Sequence, residues 1–262
     1  MNTRRLSRSR QVQITPPPPA RMPDSVVTYL SHPAFRPSRE ISPSERKPGT
    51  IQELQSMIEG NVPFTFVKRG DGEDLCMLDG QTGQNCDGAS YTPALADGLR
   101  RAFSFLRLHG AYIVSFADYP LPFITLLHQK GNDIQALKDF YRAVRNSPHS
   151  KVYVGPERAR EVAQLLKADF VSVPMPNADE KYDSILEDLK SKIVDGGIYM
   201  FSAGFCAKIL IADALLYNPR ITCLDIGSSF DSLVVGSTRW NTATESSQLS
   251  QEEMKTLYAD FR

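Results

Sequence analysis

The sequence predicts a doubly wound α/β domain, a mostly parallel, Rossmann-like sheet with helices on both faces. Three observations carry this prediction. From Pro48 onward, short apolar runs alternate with segments of helical periodicity, the order that a parallel sheet with crossover helices requires. Glycine or proline follows the strand-like runs at their carboxyl ends, where open α/β sheets bind their ligands. Apolar residues make up 41% and charged residues 23% of the 262-residue chain, the balance of a globular protein able to bury a core.

The elements follow in order. Thr50 to Glu59 reads as an amphipathic helix, with Ile51, Leu54, Met57 and Ile58 on one face and Thr50 as its cap. Val62 to Lys68 is strand-like, and Pro93 to Leu108 is helical, with proline suited to the first turn. Ala111 to Phe116 is a strand, and Asp133 to Arg145 a helix with Ile134, Leu137, Phe140, Tyr141 and Val144 on one stripe. Three strand–helix pairs follow: Lys151–Val154 with Glu157–Lys167, Phe170–Val173 with Glu180–Val194, and Ile198–Phe201 with Phe205–Tyr217. Ile221 to Ile226 closes the series of strands, and Ser250 to Phe261 reads as a last helix opened by a capping box. Crossovers between strands are expected to be right-handed.

The formal net charge of zero conceals an uneven chain. Residues 1–47 hold nine Lys/Arg and three Asp/Glu, a net of +6, and eight of the 18 prolines. Such a segment buries too little apolar surface to offset its ordering entropy, so 1–47 is expected to be a flexible basic tail and 48–262 the folded domain. The overall balance excludes a surface that is one electrostatic trap for nucleic acid or anionic lipid. No uncharged stretch reaches 18 residues, and no apolar core follows the N-terminal arginines, so neither a membrane span nor a secretory signal is expected. The four cysteines form no CxxC pair, and Cys206 and Cys223 lie in apolar segments. Together these features point to a reduced, cytoplasmic protein.

The ends of the strands locate the candidate chemistry. They carry Arg69-Gly70-Asp71-Gly72-Glu73, Gly155-Pro156, Pro174 to Asn177, Ser202-Ala203-Gly204, and Gly227-Ser228-Ser229-Phe230-Asp231. Glycine permits close approach of backbone to ligand, and helix starts offer free N–H groups to phosphate. Asp71 and Glu73, if they close on one point, hold a hard cation such as Mg²⁺ or Mn²⁺ with diphosphate oxygens completing its shell, and Arg69 steadies the phosphate charge. A polar turn with solvated carboxylates is the alternative at this segment. The chain has no GxxxxGK[ST], no GxGxxG after its first strand and no GxSxG. Those absences disfavour a Walker-type nucleoside triphosphatase, a standard dinucleotide oxidoreductase and a serine hydrolase. Of four scattered histidines, His128 is the one placed to face a cleft.

Six segments in order resemble a known family. FTFVKRGDGEDLCMLDG (Phe64 to Gly80) is similar to the opening of the GT-D-type glycosyltransferases, first described as a domain of unknown function, with its Asp-X-Glu motif. NCDGASYTPALADGLRRAF, KVYVGPERAREVAQLL, FVSVPMPNADEKYDSI, IYMFSAGFCAKILIADAL and ITCLDIGSSFDSLVVGSTR resemble later segments of the same family, over about residues 50–240. The resemblance implies metal-assisted transfer of a hexosyl or pentosyl group from a nucleoside-diphosphate sugar, with a UDP-sugar favoured, to a glycan or other acceptor hydroxyl. It assigns metal and donor binding to Asp71 and Glu73. Some family members have Gly-His where this chain has Gly227-Ser228, which removes a ligand or base from that place.

Within that expectation, a metal ion, Arg69 and helix-end N–H groups stabilise the leaving diphosphate. Asp231 is the candidate base, while Asp225 sits deeper in its strand and reads as structural. Gly70, Gly155, Gly204, Gly227 and Ser228 are the backbone contacts expected around the donor, joined by Asn177, Lys208 and Arg239. Thr238 stands beside Arg239, and Asn85 and Asp87 are expected on the acceptor side. Surface solvation is the alternative role for Lys208. Two other readings remain open: a catalytically inactive nucleotide-binding module, and a transferase whose acceptor is a modified DNA base, met through the basic tail.

Overall fold

Six short apolar runs become six parallel strands of one sheet. A computed structural model describes residues 50–78, 83–84, 88–115, 134–176, 178–231 and Ala259. The tail 1–47 and the last expected helix, apart from Ala259, lie outside these residues.

Helix α1 (Ile51–Glu59) precedes strand β1 (Thr65–Arg69). Thr50 caps α1 by accepting from the Glu53 N–H at 3.1 Å, which satisfies one of the unpaired donors of the first turn. After β1 come α2 (Asp71–Met77), α3 (Pro93–His109) and β2 (Tyr112–Ser115). The order continues with α4 (Ile134–Asn146), β3 (Lys151–Gly155), α5 (Arg160–Leu165), β4 (Asp169–Ser172), α6 (Tyr182–Ser191), β5 (Ile198–Phe201), α7 (Cys206–Tyr217) and β6 (Thr222–Asp225). Short 3-10 turns, Glu157–Ala159 and Ala178–Lys181, lead into α5 and α6. The two helices expected at 157–167 and 180–194 therefore begin as 3-10 turns and are shorter as α-helix.

The one element the sequence reading lacked is α2. The glycines of Gly70-Asp71-Gly72 read as a turn. In the structure Asp71 and Glu73 occupy the first and third helical positions, and Glu73 Oε2 accepts from the Gly70 N–H at 2.9 Å. A carboxylate there caps the helix start and complements its dipole. That local gain is sufficient to carry a glycine in the first turn.

The sheet order is β2-β1-β6-β5-β3-β4, with every pair parallel. Side chains alternate between two cores, as a strand buried on both faces requires. Val67, Ile113, Val152, Val154, Phe201 and Cys223 pack beneath α3, α6 and α7. Phe66, Tyr112, Tyr153, Met200 and Leu224 pack beneath α1, α4 and α5. The crossovers that step towards β2 run over the first face and those that step towards β4 run over the second. That partition is what right-handed crossovers produce in a sheet of this order.

Two strands carry a glycine two residues from a tyrosine, on the same side of the sheet. A Cβ on Gly155 would lie 2.6 Å from Tyr153 Cε1, and one on Gly197 would lie 2.6 Å from the Tyr199 hydroxyl. Both rings are buried, and the missing Cβ makes room for each. Gly155→Ala is expected to lower stability by about 1–3 kcal/mol through overpacking, read as a lower urea midpoint with an unchanged slope. An unchanged midpoint would mean that the ring relaxes freely.

Candidate functional site

Adjacent strands whose exits diverge to opposite faces open a crevice at the carboxyl edge. The chain leaves β1 into α2, whose Cys76 packs in the α3/α6/α7 core. It leaves β6 through a turn whose Phe230 packs in the other core, with its ring 4.9 Å from that of Tyr141. The topology places such a crevice between β1 and β6, with Lys68 to Asp71 at the end of one strand and Gly227 to Asp231 after the other.

A buried ion triad closes the floor. The Lys208 ammonium, from the first turn of α7, lies 2.6 Å from Glu73 Oε1 and 2.9 Å from Asp225 Oδ2. All three side chains are almost wholly buried. Glu73 completes its bonding at Gly70 N–H, and Asp225 Oδ2 also accepts from the Lys68 N–H at 3.2 Å. Burial by itself would raise the Glu73 pKa, but the Lys208 and then the Lys68 ammonium overcome it, and the carboxyl is pulled from 4.5 down to about 2. Burial would likewise lower the Lys208 pKa, and the Asp225 and Glu73 carboxylates hold it above its ordinary value. The triad is thus a fixed set of charges. Asp225 Oδ1 is buried without a hydrogen-bond partner, beside the crevice.

This geometry distributes the expected residues unevenly. Lys208 is neither a surface cation nor a free phosphate ligand, because it is enclosed by two carboxylates. Asp71 is exposed, and its Oδ1 accepts from the Gly72 N–H at 2.9 Å, whereas Glu73 points inward, so the two differ in surroundings. Arg69 pairs with Asp74 at 2.6 Å and lies over the Phe103 ring at 5.6 Å, which ties it to α2 and α3. Gly70 is buried at the helix start. Gly155 is covered by the Tyr153 ring.

Gly204 and Gly227 adopt left-handed backbone, φ 56° and 48°, a conformation glycine enters without steric cost. Gly227 opens the turn after β6, and its carbonyl accepts from the Ser202 hydroxyl, after β5, at 2.7 Å. Ser228 is half-buried in the same turn, and its carbonyl accepts from the Asp231 N–H at 3.0 Å. Asp231 is buried, and its charge raises the pKa of the Tyr153 phenol, although burial is the larger cause. Asn85, Asp87, His128, Asn177, Thr238 and Arg239 lie outside the described residues.

Lys68 is the residue that sequence reading missed. The sequence marks it only as the last residue of a strand. Its side chain is half-buried at the crevice rim, and a Cβ on Gly227 would lie 3.5 Å from Lys68 Nζ. The available signal was the strand-end rule itself, applied one residue earlier.

The Asp71/Glu73 pair does not fit a chelated divalent ion in this arrangement. One Glu73 oxygen is on an ammonium and the other on a backbone N–H, and a hydrated cation reaching it would have to displace Lys208. Among the described residues no group of three or more His, Cys, Asp or Glu side chains forms a ligand set.

Comparison with known proteins adds the fold. No family model matches the chain, and neither does any curated protein. Among solved structures, a selenomethionine form of domain of unknown function 1792 matches at 19% identity and TM-score 0.51, over 81% of this chain and 95% of that one. A structure of the same domain, described as having a distinct glycosyltransferase fold, matches with the same figures. The chain has this fold. A third structure, a glycosyltransferase of this domain type from Streptococcus sanguinis, aligns at 15% identity and TM-score 0.49 over 79% of this chain and 96% of that one. No helix among the described residues is long and apolar enough to cross a membrane.

Removing Lys208 is expected to be costly. Lys208→Met leaves two buried carboxylates facing each other and should destabilise the fold by about 3–5 kcal/mol in urea titration. The Glu73 shift also has a definite sign. A depressed carboxyl contributes fully above its unfolded value near 4.5 and progressively less as the pH falls towards about 2. Wild-type stability should therefore drop more steeply than that of Glu73→Gln across that interval, and the two should run parallel above pH about 5. Parallel curves throughout would show that Glu73 is not held charged.

Proposed function

We propose that the protein is a glycosyltransferase, moving a hexosyl or pentosyl group from a nucleoside-diphosphate sugar to an acceptor hydroxyl. One observation carries the reading: the crevice between β1 and β6, built over fixed charges at the carboxyl edge of a sheet with a glycosyltransferase fold. That edge is where a doubly wound sheet receives a nucleotide.

The chemistry that this reading requires is modest. The bond between the sugar's anomeric carbon and the β-phosphate oxygen breaks, and the electron pair leaves with the diphosphate. The acceptor oxygen bonds to the anomeric carbon and gives up its proton. Asp231, on the turn after β6, is the carboxylate assigned to receive that proton. Asp71, on the opposite rim and open to solvent, is assigned to the sugar or acceptor hydroxyls. The backbone of Gly227 and Ser228 lines the donor. The leaving diphosphate gains negative charge as the reaction proceeds, so cationic groups already in place stabilise the transition state more than the ground state.

A panel of nucleoside-diphosphate sugars, each with Mn²⁺ and with chelator, tests this reading by thermal shift. A donor at a hundred times its Kd adds about 2.7 kcal/mol, which for a chain of this size raises Tm by roughly 5–10 °C. Asp231→Asn should retain that shift and lose at least about a hundredfold in transfer rate. No shift with any donor, in protein shown to be folded, removes the reading. A shift in chelator locates donor binding in the chain's own side chains, and a shift only with Mn²⁺ locates it in a metal–donor complex.

A further inference from the structure

We infer that the Lys68 ammonium is the group that receives the donor's diphosphate; this rests on the glycosyl-transfer reading above. Four observations lead to it. Lys68 stands at the carboxyl end of β1, on the rim of the β1/β6 crevice. Its backbone is fixed from both sides, by the β2 register and by the Asp225 carboxylate on its N–H. Its stem lies against Gly227, with Cε and Nζ within 4.0 Å and 3.5 Å of where a Cβ would stand. The adjacent acids are already engaged, Glu73 and Asp225 by Lys208 and by backbone N–H groups.

The contrast with the neighbouring cations is informative. Arg69 is paired with Asp74, and Lys208 with two carboxylates. No ion pair or hydrogen bond of the Lys68 ammonium is made among the described residues, where its charge acts at longer range on Glu73. An ammonium is a compact point charge suited to phosphate oxygens. Gly227 gives the phosphate a path to it, because any side chain there would stand between them. Asp225 Oδ1, buried and unpartnered, lies within 4.0 Å of the same point. It marks the inner limit for an anion.

A purely structural Lys68 would balance the surplus negative charge of Glu73 and Asp225 and would matter for stability alone. The two roles separate by experiment. Binding of UDP and of inorganic pyrophosphate to the full chain is measured by calorimetry, each with Mn²⁺ and with chelator, for wild type, Lys68→Met and Lys68→Arg, with Tm recorded for all three. The expected result is binding of both anions to wild type, weakened roughly ten- to hundredfold in Lys68→Met. Lys68→Arg should recover most of it, and Lys68→Met should show a shallower dependence on salt. Equal affinity in wild type and Lys68→Met overturns the assignment and leaves the transferase reading standing. Binding that requires Mn²⁺ and ignores the substitution overturns it too, because the metal then carries the phosphates. Absence of UDP binding to folded wild type under both conditions overturns the reading on which the assignment rests. Should Lys68→Met melt much lower, Lys68→Arg decides: full stability with unrestored binding also overturns the assignment.

Discussion

One ammonium group between two carboxylates holds the carboxyl edge of this sheet together. Lys208 reaches from α7 to Asp225 at the end of β6 and to Glu73 in the first turn of α2. The first turn of α2 is remote in sequence from the other two segments, and each of the three adjoins a strand end. Taking three charges out of water is expensive, and apolar replacements of similar volume often do as well for stability. What the ion triad supplies is position. Glu73 can neither turn outward nor protonate near neutral pH, so α2 starts at one place and presents Asp71 and the backbone of Gly70 at a fixed angle.

The sheet order explains why the fixed charges lie where a ligand would enter. The chain leaves β1 and β6 towards opposite faces, through α2 on one side and the Phe230 turn on the other. At the end of β3 the Tyr153 ring lies over Gly155, and between the ends of β5 and β6 the Ser202 hydroxyl reaches the Gly227 carbonyl. The carboxyl edge thus has aromatic packing at the end of β3 and fixed charges at the ends of β1 and β6.

Much of the fold was legible in the sequence because its signals are local. Thr50 and Pro93 announce helix starts, and the stripe Leu137, Phe140, Tyr141 and Val144 announces a buried helix face. The short runs around Tyr153, Met200 and Leu224 announce strands covered on both faces. Helix α2 was missed because glycine at Gly70 and Gly72 is a stronger turn signal than the carboxylates are a helix signal. The site was legible only as a neighbourhood. Strand-end reasoning picked out Glu73, Lys208, Gly227 and Asp231, but the pairing of Glu73 with Lys208 joins positions more than a hundred residues apart. Asp71 and Glu73, two positions apart, read as one cation site. The helix turn that separates their directions, and the distant lysine that takes one of them, leave no local trace.

Gly155 shows how a strand-end glycine can mislead in another kind of data. It stands at the carboxyl edge, next to a proline, in the place where contact with a ligand is the obvious explanation. Its empty side is filled from within the protein by the Tyr153 ring. A screen that scores only product formation would therefore rank Gly155 beside the residues of the crevice, since misfolded copies make no product. Normalising such a screen to the amount of folded chain would move Gly155 out of that group and leave the crevice residues in it. The same correction would apply to Gly197, which accommodates Tyr199 at the opposite end of its strand.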